Sequence, residues 1–278
     1  MLILATVTMA VVSCGPKKVT KQEDTEEPLK ILVLYYSQTS NTKTVATEIA
    51  TRLGADIEEI VPVNPYDGDF KATIDRCMEE RQQGIITEIQ PLASNIDKYD
   101  VIFIGYPVWF GTYAPPIATF LDQVDLSGKK VVPFCTFGSG GLDSSIKDLS
   151  QKEPEAQILP GYGVRAARLD AMPNEIDQFL KGNGFIEGEF TQLGDFSEMQ
   201  PVSDTEIAIF NAAVGDYPMM HAQAETFGSR VIPGGTEYLF VAKDLPREDM
   251  PNMPPPGELK VYVTVLDGET PVFTQVVR

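Results

Sequence analysis

The feature that most constrains the fold is the regular alternation of continuous apolar segments with amphipathic ones between residues 29 and 184. The apolar runs at residues 31–36 and 101–104 are typical of strands covered on both faces, as in a parallel sheet. Residues 41–53 carry apolar side chains at a four-residue spacing, which indicates an amphipathic helix. Five such strand–helix units predict an α/β domain built on a five-stranded, doubly wound parallel sheet.

The same pattern gives approximate bounds for the elements. We predict strands at residues 31–36, 57–63, 101–104, 130–137 and within 158–167, and helices at residues 41–53, 71–83, 116–124, 144–151 and around 176–180. We interpret residues 79–83 as a solvent-exposed helix face. In a sheet of this kind, ligands bind at the carboxyl ends of the strands, near the point where the strand order reverses. The loops after the first, third and fourth strands are therefore the candidate ligand-binding segments.

Each of these three loops has a distinctive composition. Loop A, residues 37–42, reads Ser-Gln-Thr-Ser-Asn-Thr and opens into a helix, so its hydroxyl and backbone N–H groups suit a phosphate dianion. Loop B, residues 107–111, holds the single tryptophan, Trp109, which offers a flat face to an aromatic ligand. Loop C, residues 136–141, has three glycines that allow close backbone approach. Simpler interpretations are a helix cap for loop A and a hydrophobic plug for loop B.

Together the three loops resemble those of the flavodoxin family, over residues 29–184. Loop A resembles its phosphate loop, with Ser40 where glycine is usual, and loops B and C resemble its two isoalloxazine loops. The resemblance implies a short-chain member that binds FMN non-covalently, with the ring between Trp109 and the Phe137–Gly138 part of loop C. The implied cofactor-binding residues are Ser37, Gln38, Thr39, Ser40, Asn41 and Thr42 in loop A, Pro107, Val108, Trp109, Phe110 and Gly111 in loop B, and Thr136, Phe137, Gly138, Ser139, Gly140 and Gly141 in loop C.

Charge and composition narrow the function further. Lys and Arg total 22 against 40 Asp and Glu, a net charge of −18, so nucleic acid would be repelled. One His and three scattered Cys leave no predicted metal site, and no catalytic residue is assigned. The negative charge disfavours an anionic reduced flavin, which suits a low-potential electron carrier for a redox partner protein or a quinone. The alternatives are an NAD(P)H-dependent quinone or nitro reductase, and a non-redox binding protein that has lost its flavin.

The first 28 residues are predicted to lie outside the fold. The apolar run at residues 2–12 is too short to span a bilayer and is typical of an export signal. With the cysteine that follows, it resembles the bacterial lipoprotein box, so residues 1–14 are interpreted as a signal ending in the lipidated Cys14. Residues 15–28 are polar and predict a flexible tether. These features predict an exported cell-envelope lipoprotein, on the periplasmic face or the surface, held to the membrane by its lipid.

A second, smaller domain is predicted at residues 195–278, after a first domain at residues 29–190. A helix at residues 203–214 and strands at residues 222–232, 237–242, 259–266 and 271–277 predict an antiparallel α+β layer. Its segment Val231–Tyr238 resembles the first hairpin of the cystatin family, in which Gly235, Thr236 and Tyr238 match. Because Pro233 interrupts the tip, protease inhibition is disfavoured. A protein partner for this domain, or simple packing on the first domain, are the alternatives that stay open.

Overall fold

The computed structural model describes residues 29–67, 69–215, 217, 220–245 and 257–277. The predicted signal, the tether and Cys14 lie outside these residues. Across the described part of the chain, no helix is both long enough and apolar enough to cross a membrane.

The first domain alternates strands and helices as predicted. Its strands are β1 (Ile31–Tyr35), β2 (Asp56–Glu59), β3 (Val101–Trp109), β4 (Thr112–Tyr113), β5 (Lys130–Phe137), β6 (Gln157–Ile158) and β7 (Tyr162–Arg165). Its helices are α1 (Asn41–Leu53), α2 (Phe70–Gln83), α3 (Pro115–Gln123), α4 (Leu142–Lys152) and α5 (Met172–Gly182). The parallel strands lie in the order β2–β1–β3–β5–β6, and β7 also pairs with β5. The order reverses beside β1, as in a doubly wound sheet.

Both faces of this sheet are buried, which explains the continuous apolar run in β1. Leu34 belongs to the core on one face, together with Phe120 of α3. Val33 belongs to the core on the opposite face, together with Ile49 of α1 and Ile176 of α5. Each such side chain contributes about 1.5–3 kcal/mol through burial. A polar residue at either position would therefore be costly.

The predicted fifth strand is divided into β6 and β7, and Pro133 in β5 accounts for the division. Leu159 N donates to Val131 O at 2.8 Å, so Val131 faces the fifth strand. Side chains and backbone groups alternate along a strand, so Pro133 faces the same neighbour. Proline has no N–H to donate, and the ladder resumes only where Phe134 pairs with Tyr162. The strand predicted within residues 158–167 is thus β7, and the two-residue β6 precedes it as a separate strand.

The second predicted strand is also shorter than expected. Residues 57–63 were predicted, but β2 ends at Glu59, and Ile60 N makes a last bond to Tyr35 O at 2.7 Å. Beyond it, Pro62 forms a bridge with Ile89, so the chain turns away from β1 toward that segment.

The second domain is an antiparallel sheet covered by one helix, as predicted at the level of fold class. It comprises β8 (Gln200–Pro201), α6 (Asp204–Val214), β9 (Ala222–Ile232), β10 (Gly235–Asp244), β11 (Glu258–Leu266) and β12 (Val272–Val277). The sheet order is β12–β11–β10–β9–β8, so the two-residue β8 adds a fifth strand that was not predicted. Phe210 of α6 packs edge-on against Phe240, with ring centroids 5.3 Å apart. The core of this domain is separate from the two cores of the first domain.

Candidate functional site

The sheet brings the three loops to one edge. Strands β1, β3 and β5 are neighbours and run parallel, so their carboxyl ends lie side by side. Loop A follows β1, loop B lies at the end of β3, and loop C begins at the end of β5. All of the residues predicted to bind a cofactor are therefore on the same edge of the sheet.

Direct contacts join the loops to one another. Thr42 Oγ1 in loop A lies 2.8 Å from Thr136 Oγ1 in loop C, and both residues are buried. Gly141 in loop C approaches loop B so closely that a Cβ atom there would lie 2.6 Å from Cγ1 of Val108. Gly141 also has a φ of 115°, which L-residues with side chains rarely adopt. Packing between the loops thus accounts for this glycine.

Loop A enters helix α1 through a residue in a left-handed conformation. Ser40 has φ 65° and ψ −4°, and its carbonyl accepts the first helical bond from Thr44 N at 2.9 Å. Asn41, the first residue of the helix, is half-buried. Within the described residues no side chain caps α1, so its first-turn N–H groups have no side-chain acceptor. An uncapped helix N-terminus of this kind is a favourable place for a phosphate group.

The Ser37 hydroxyl is the clearest sign of a ligand in loop A. Its Oγ atom is buried, and it is the one buried side-chain nitrogen or oxygen without a hydrogen-bond partner in the part of the chain that the structure describes. Leaving such a group unpaired costs about 1–3 kcal/mol. A ligand oxygen within loop A would remove that cost.

The remaining polar side chains of loop A have different surroundings. Gln38 Nε2 donates to Tyr66 O at 3.1 Å and to Thr73 Oγ1 at 2.6 Å, so it ties loop A to helix α2 and the segment before it. The Thr39 and Ser40 side chains are exposed. Gln38 therefore has a structural role that its place in the motif did not reveal.

Loop B forms a β-hairpin, which was not predicted from its sequence. Strand β3 continues to Trp109, which pairs with Thr112 of β4. The turn consists of Phe110 and Gly111, with φ values of 52° and 81°. Two positive φ angles match the twist of a two-residue hairpin. A bulky aromatic residue at such a position is an outlier, and Phe110 is 47% exposed.

Trp109 rests on two tyrosines. Its ring centroid lies 5.1 Å from that of Tyr66 and 5.8 Å from that of Tyr36, and both pairs are nearly perpendicular. Edge-to-face pairs of this kind contribute about 0.5–1.5 kcal/mol beyond burial. The two tyrosines therefore fix the indole and leave it half-buried at the edge of the site.

A buried ionic network lies behind Tyr66, and it includes one residue of the predicted solvent-exposed face at residues 79–83. The other four residues of that face are exposed, as predicted. Glu80 is only 8% exposed and accepts hydrogen bonds from Tyr66 Oη at 2.5 Å and Arg76 Nε at 2.8 Å. Burial, followed by the bond to Glu80, raises the pKa of Tyr66 above its usual value. The four-residue spacing of Arg76 and Glu80 was the available signal. Their contact with Tyr66 was not visible in the sequence.

Loop C is held from outside by the second domain. Val276 N donates to Ser139 O at 2.7 Å. Arg165, at the end of β7, donates from Nε to Gly138 O at 2.9 Å and from Nη1 to Phe273 O at 2.7 Å. Arg165 was not predicted as a site residue, because nothing near it in the sequence marks these contacts.

The site as a whole suits a phosphorylated aromatic cofactor. Loop A offers an unpaired buried hydroxyl and an uncapped helix N-terminus, and it contains no Lys or Arg. At the same edge of the sheet, loop B presents Trp109 and loop C presents a glycine-rich backbone. These are the donor types that a phosphate and a flat heterocyclic ring require.

Comparison with known proteins adds sequence and structural relatives. A family profile described as Flavodoxin matches residues 30–175. An uncharacterized protein from Methanocaldococcus jannaschii is 30% identical over 126 residues, which are 45% of this chain and 65% of that protein. The chain therefore spans less than two thirds of the length of this relative.

Among solved structures, a candidate flavoprotein from Bacteroides eggerthii is 31% identical, with a TM-score of 0.50, and the match covers 57% of this chain and 99% of that chain. A flavoprotein from Lactobacillus acidophilus, solved in complex with FMN, is 28% identical, with a TM-score of 0.45. That match covers 54% of this chain and 97% of the other. Both matches are shorter than the chain studied, which has a second domain in addition.

Proposed function

The chain belongs to the flavodoxin family, and from this we propose that its first domain binds FMN and transfers electrons. The observation that carries the proposal is the Ser37 hydroxyl, which is buried beside an uncapped helix N-terminus and has no partner within the described residues. A phosphate oxygen is the acceptor that such a hydroxyl lacks. When bound, FMN would supply the redox chemistry.

Loop A would hold the phosphate without a cation. Ser37 would donate from its buried hydroxyl, and the first-turn N–H groups of α1 would add further donors together with the positive end of the helix dipole. Thr42 is held against Thr136, which keeps loop A at a fixed distance from loop C. The site is therefore preorganised for a dianion in spite of the negative net charge of the protein.

Loops B and C would hold the ring. Trp109 is fixed by Tyr36 and Tyr66, so it can stack on a flat ligand with little loss of side-chain entropy. Loop C supplies backbone N–H groups close to loop B, because Gly141 contacts Val108. These residues orient the ring and exclude water from one of its faces.

An electron-carrying role fits the charge of the chain. A net charge of −18 opposes the addition of negative charge to a bound flavin. The reduced flavin would therefore be a strong reductant. A redox partner protein or a quinone would then receive the electrons. An NAD(P)H-dependent reductase would instead be reduced directly by the nicotinamide.

The test is a titration of the apoprotein with FMN, followed by flavin fluorescence and visible absorption. We expect quenching and tight binding of FMN, and binding of riboflavin at least about a hundredfold weaker, because riboflavin has no phosphate to meet loop A. Trp109→Leu should weaken FMN binding, and Trp109→Phe should restore much of it. Failure of FMN to bind would refute the proposal. Rapid bleaching of the loaded protein by NADH alone would favour the reductase.

We also propose that Cys14 is lipidated and anchors the protein at the cell envelope. The support is the order of an apolar run, a small residue, a cysteine and a polar segment in residues 2–28. Mass spectrometry of the membrane fraction should find a lipid-modified Cys14, and Cys14→Ser should release the protein into the soluble fraction. A soluble protein with an unmodified Cys14 would contradict the anchor.

For the second domain we propose a cystatin-like fold without protease inhibition. Its support is one helix, α6, packed on an antiparallel sheet, together with the Val231–Tyr238 segment. The tip of that hairpin consists of Pro233 and Gly234. An assay against papain-like proteases should show no inhibition, and inhibition at nanomolar concentration would contradict this.

A further inference from the structure

The second domain contacts the first at loop C and at Arg165 of β7. The outer edge of β12 supplies Val276 N, which donates to Ser139 O at 2.7 Å. Arg165 joins the two domains through its planar guanidinium, which donates to Gly138 O on one side and to Phe273 O on the other. The guanidinium also lies 4.3 Å from the Phe273 ring centroid. Two consecutive carbonyl groups of loop C are thus bonded by groups outside the loop.

Gly140 shows how close this contact is. A Cβ atom at Gly140 would lie 2.2 Å from Val276 O, a distance that no side chain could tolerate. Its φ lies outside the left-handed region, so backbone conformation does not explain the glycine. The absence of a side chain at position 140 is therefore explained by the second domain.

We propose that the second domain contributes to FMN binding by fixing loop C, and that Arg165 is a positioning residue that holds loop C in its ring-binding arrangement. The inference rests on the proposed function, since it concerns the same site. Backbone groups of loop C can meet the ring only in a fixed orientation of its peptide units. The bonds to Gly138 O and Ser139 O fix two of these units. Arg165 need not contact the cofactor to do this.

The experiment uses the full chain and combines a readout without FMN with one that requires it. Amide hydrogen exchange of the apoprotein reports whether the Val276 N–H and loop C are protected. FMN dissociation constants and the midpoint potential of the bound flavin report whether this protection matters to the site. The variants are Arg165→Lys, Arg165→Gln and Gly140→Ala. Lysine keeps the positive charge of Arg165 but lacks the planar guanidinium that donates to Gly138 O and Phe273 O. Arg168→Lys is the matched control, because Arg168 pairs with Glu175 within the first domain.

We expect protection of Val276 in the wild type, and faster exchange at Val276 and loop C in all three variants. FMN binding should weaken by about tenfold, equivalent to the loss of one hydrogen bond, with a shifted midpoint potential. Arg168→Lys should stay within about twofold of wild type on the same affinity scale.

Three results would overturn the inference in different ways. An unprotected Val276 amide in the wild type would show that the second domain does not hold loop C. Faster exchange in the variants with unchanged FMN affinity and potential would show that the domains only pack together. Wild-type behaviour of Arg165→Lys beside a defective Arg165→Gln would show that Arg165 acts through its charge. Failure of the wild type to bind FMN, with Val276 protected, would refute the proposed function while leaving the contact between the domains established.

Discussion

Replacement of Ser37 by alanine should change the stability of the apoprotein and its affinity for FMN in opposite directions. In the apoprotein the Ser37 hydroxyl is buried without a partner among the described residues. An unpaired buried hydroxyl costs about 1–3 kcal/mol, and part of the gain from deleting it is lost because a small space opens. We therefore expect Ser37→Ala to stabilise the apoprotein by about 1 kcal/mol.

The effect on the loaded protein should have the opposite sign. A hydrogen bond to a charged phosphate contributes about 1.5–3 kcal/mol, so its loss should weaken FMN binding by about 10- to 150-fold. Riboflavin binding should be unaffected, because riboflavin carries no phosphate. A purely structural serine cannot give this combination of results.

Ser145→Ala is the matched control. The Ser145 hydroxyl is fully buried, but it accepts a bond from Tyr106 Oη at 3.1 Å and donates to Leu142 O at 2.9 Å. Its deletion leaves the Tyr106 hydroxyl unpaired, so the apoprotein should lose about 1–3 kcal/mol. FMN affinity should change little, since Ser145 lies outside the three loops.

Urea unfolding of both apoproteins and fluorescence titration with FMN measure these changes. The reasoning is refuted if Ser37→Ala destabilises the apoprotein as Ser145→Ala does and binds FMN with wild-type affinity. In that case the hydroxyl would have a partner inside the protein and would be no ligand site.

Three further predictions follow from the structure. Ser40→Gly should stabilise the apoprotein by about 0.5–1 kcal/mol in urea unfolding, because the left-handed penalty of about 1–2 kcal/mol exceeds the entropic cost of glycine; destabilisation would contradict the left-handed conformation. In a Cys14→Ser background, Cys77 and Cys135 should not react with a thiol reagent at pH 8 until the protein unfolds. Both are buried, and burial raises the pKa of Cys77 to about 11. Fast labelling of the native protein would contradict this prediction. The midpoint potential of bound FMN should rise with ionic strength, because salt screens the net charge of −18, and a potential independent of salt would exclude a role for that charge.

The parts of the fold that were predictable have local causes. Burial on both faces of the sheet requires continuous apolar strands, and the helices show their buried stripe at four-residue spacing. Loops A, B and C could be located because parallel strands place their carboxyl ends at one edge. The division between β6 and β7 was not predicted, although its cause, Pro133 in a central strand, is present in the sequence.

The parts that were missed depend on contacts between distant residues. Glu80 looks like a surface carboxylate on a polar helix, but it is buried and accepts hydrogen bonds from Tyr66 and Thr87, which belong to two other segments. Arg165 is 108 residues from Phe273 in the sequence, and no periodicity connects them. The hairpin turn at Phe110 and Gly111 was not predicted, because a phenylalanine is not an expected residue at a left-handed turn position.

The contact made by β12 also has a consequence for solubility. An edge strand with free backbone groups and apolar side chains is a template for aggregation, and Val272–Val277 is rich in apolar residues. The first domain occupies part of that edge through Ser139 O. The opposite edge is the two-residue β8, which contains Pro201 and therefore has one donor fewer. Neither edge of the sheet is left as a long free template, so the contact with the first domain also protects the second domain from intermolecular strand pairing.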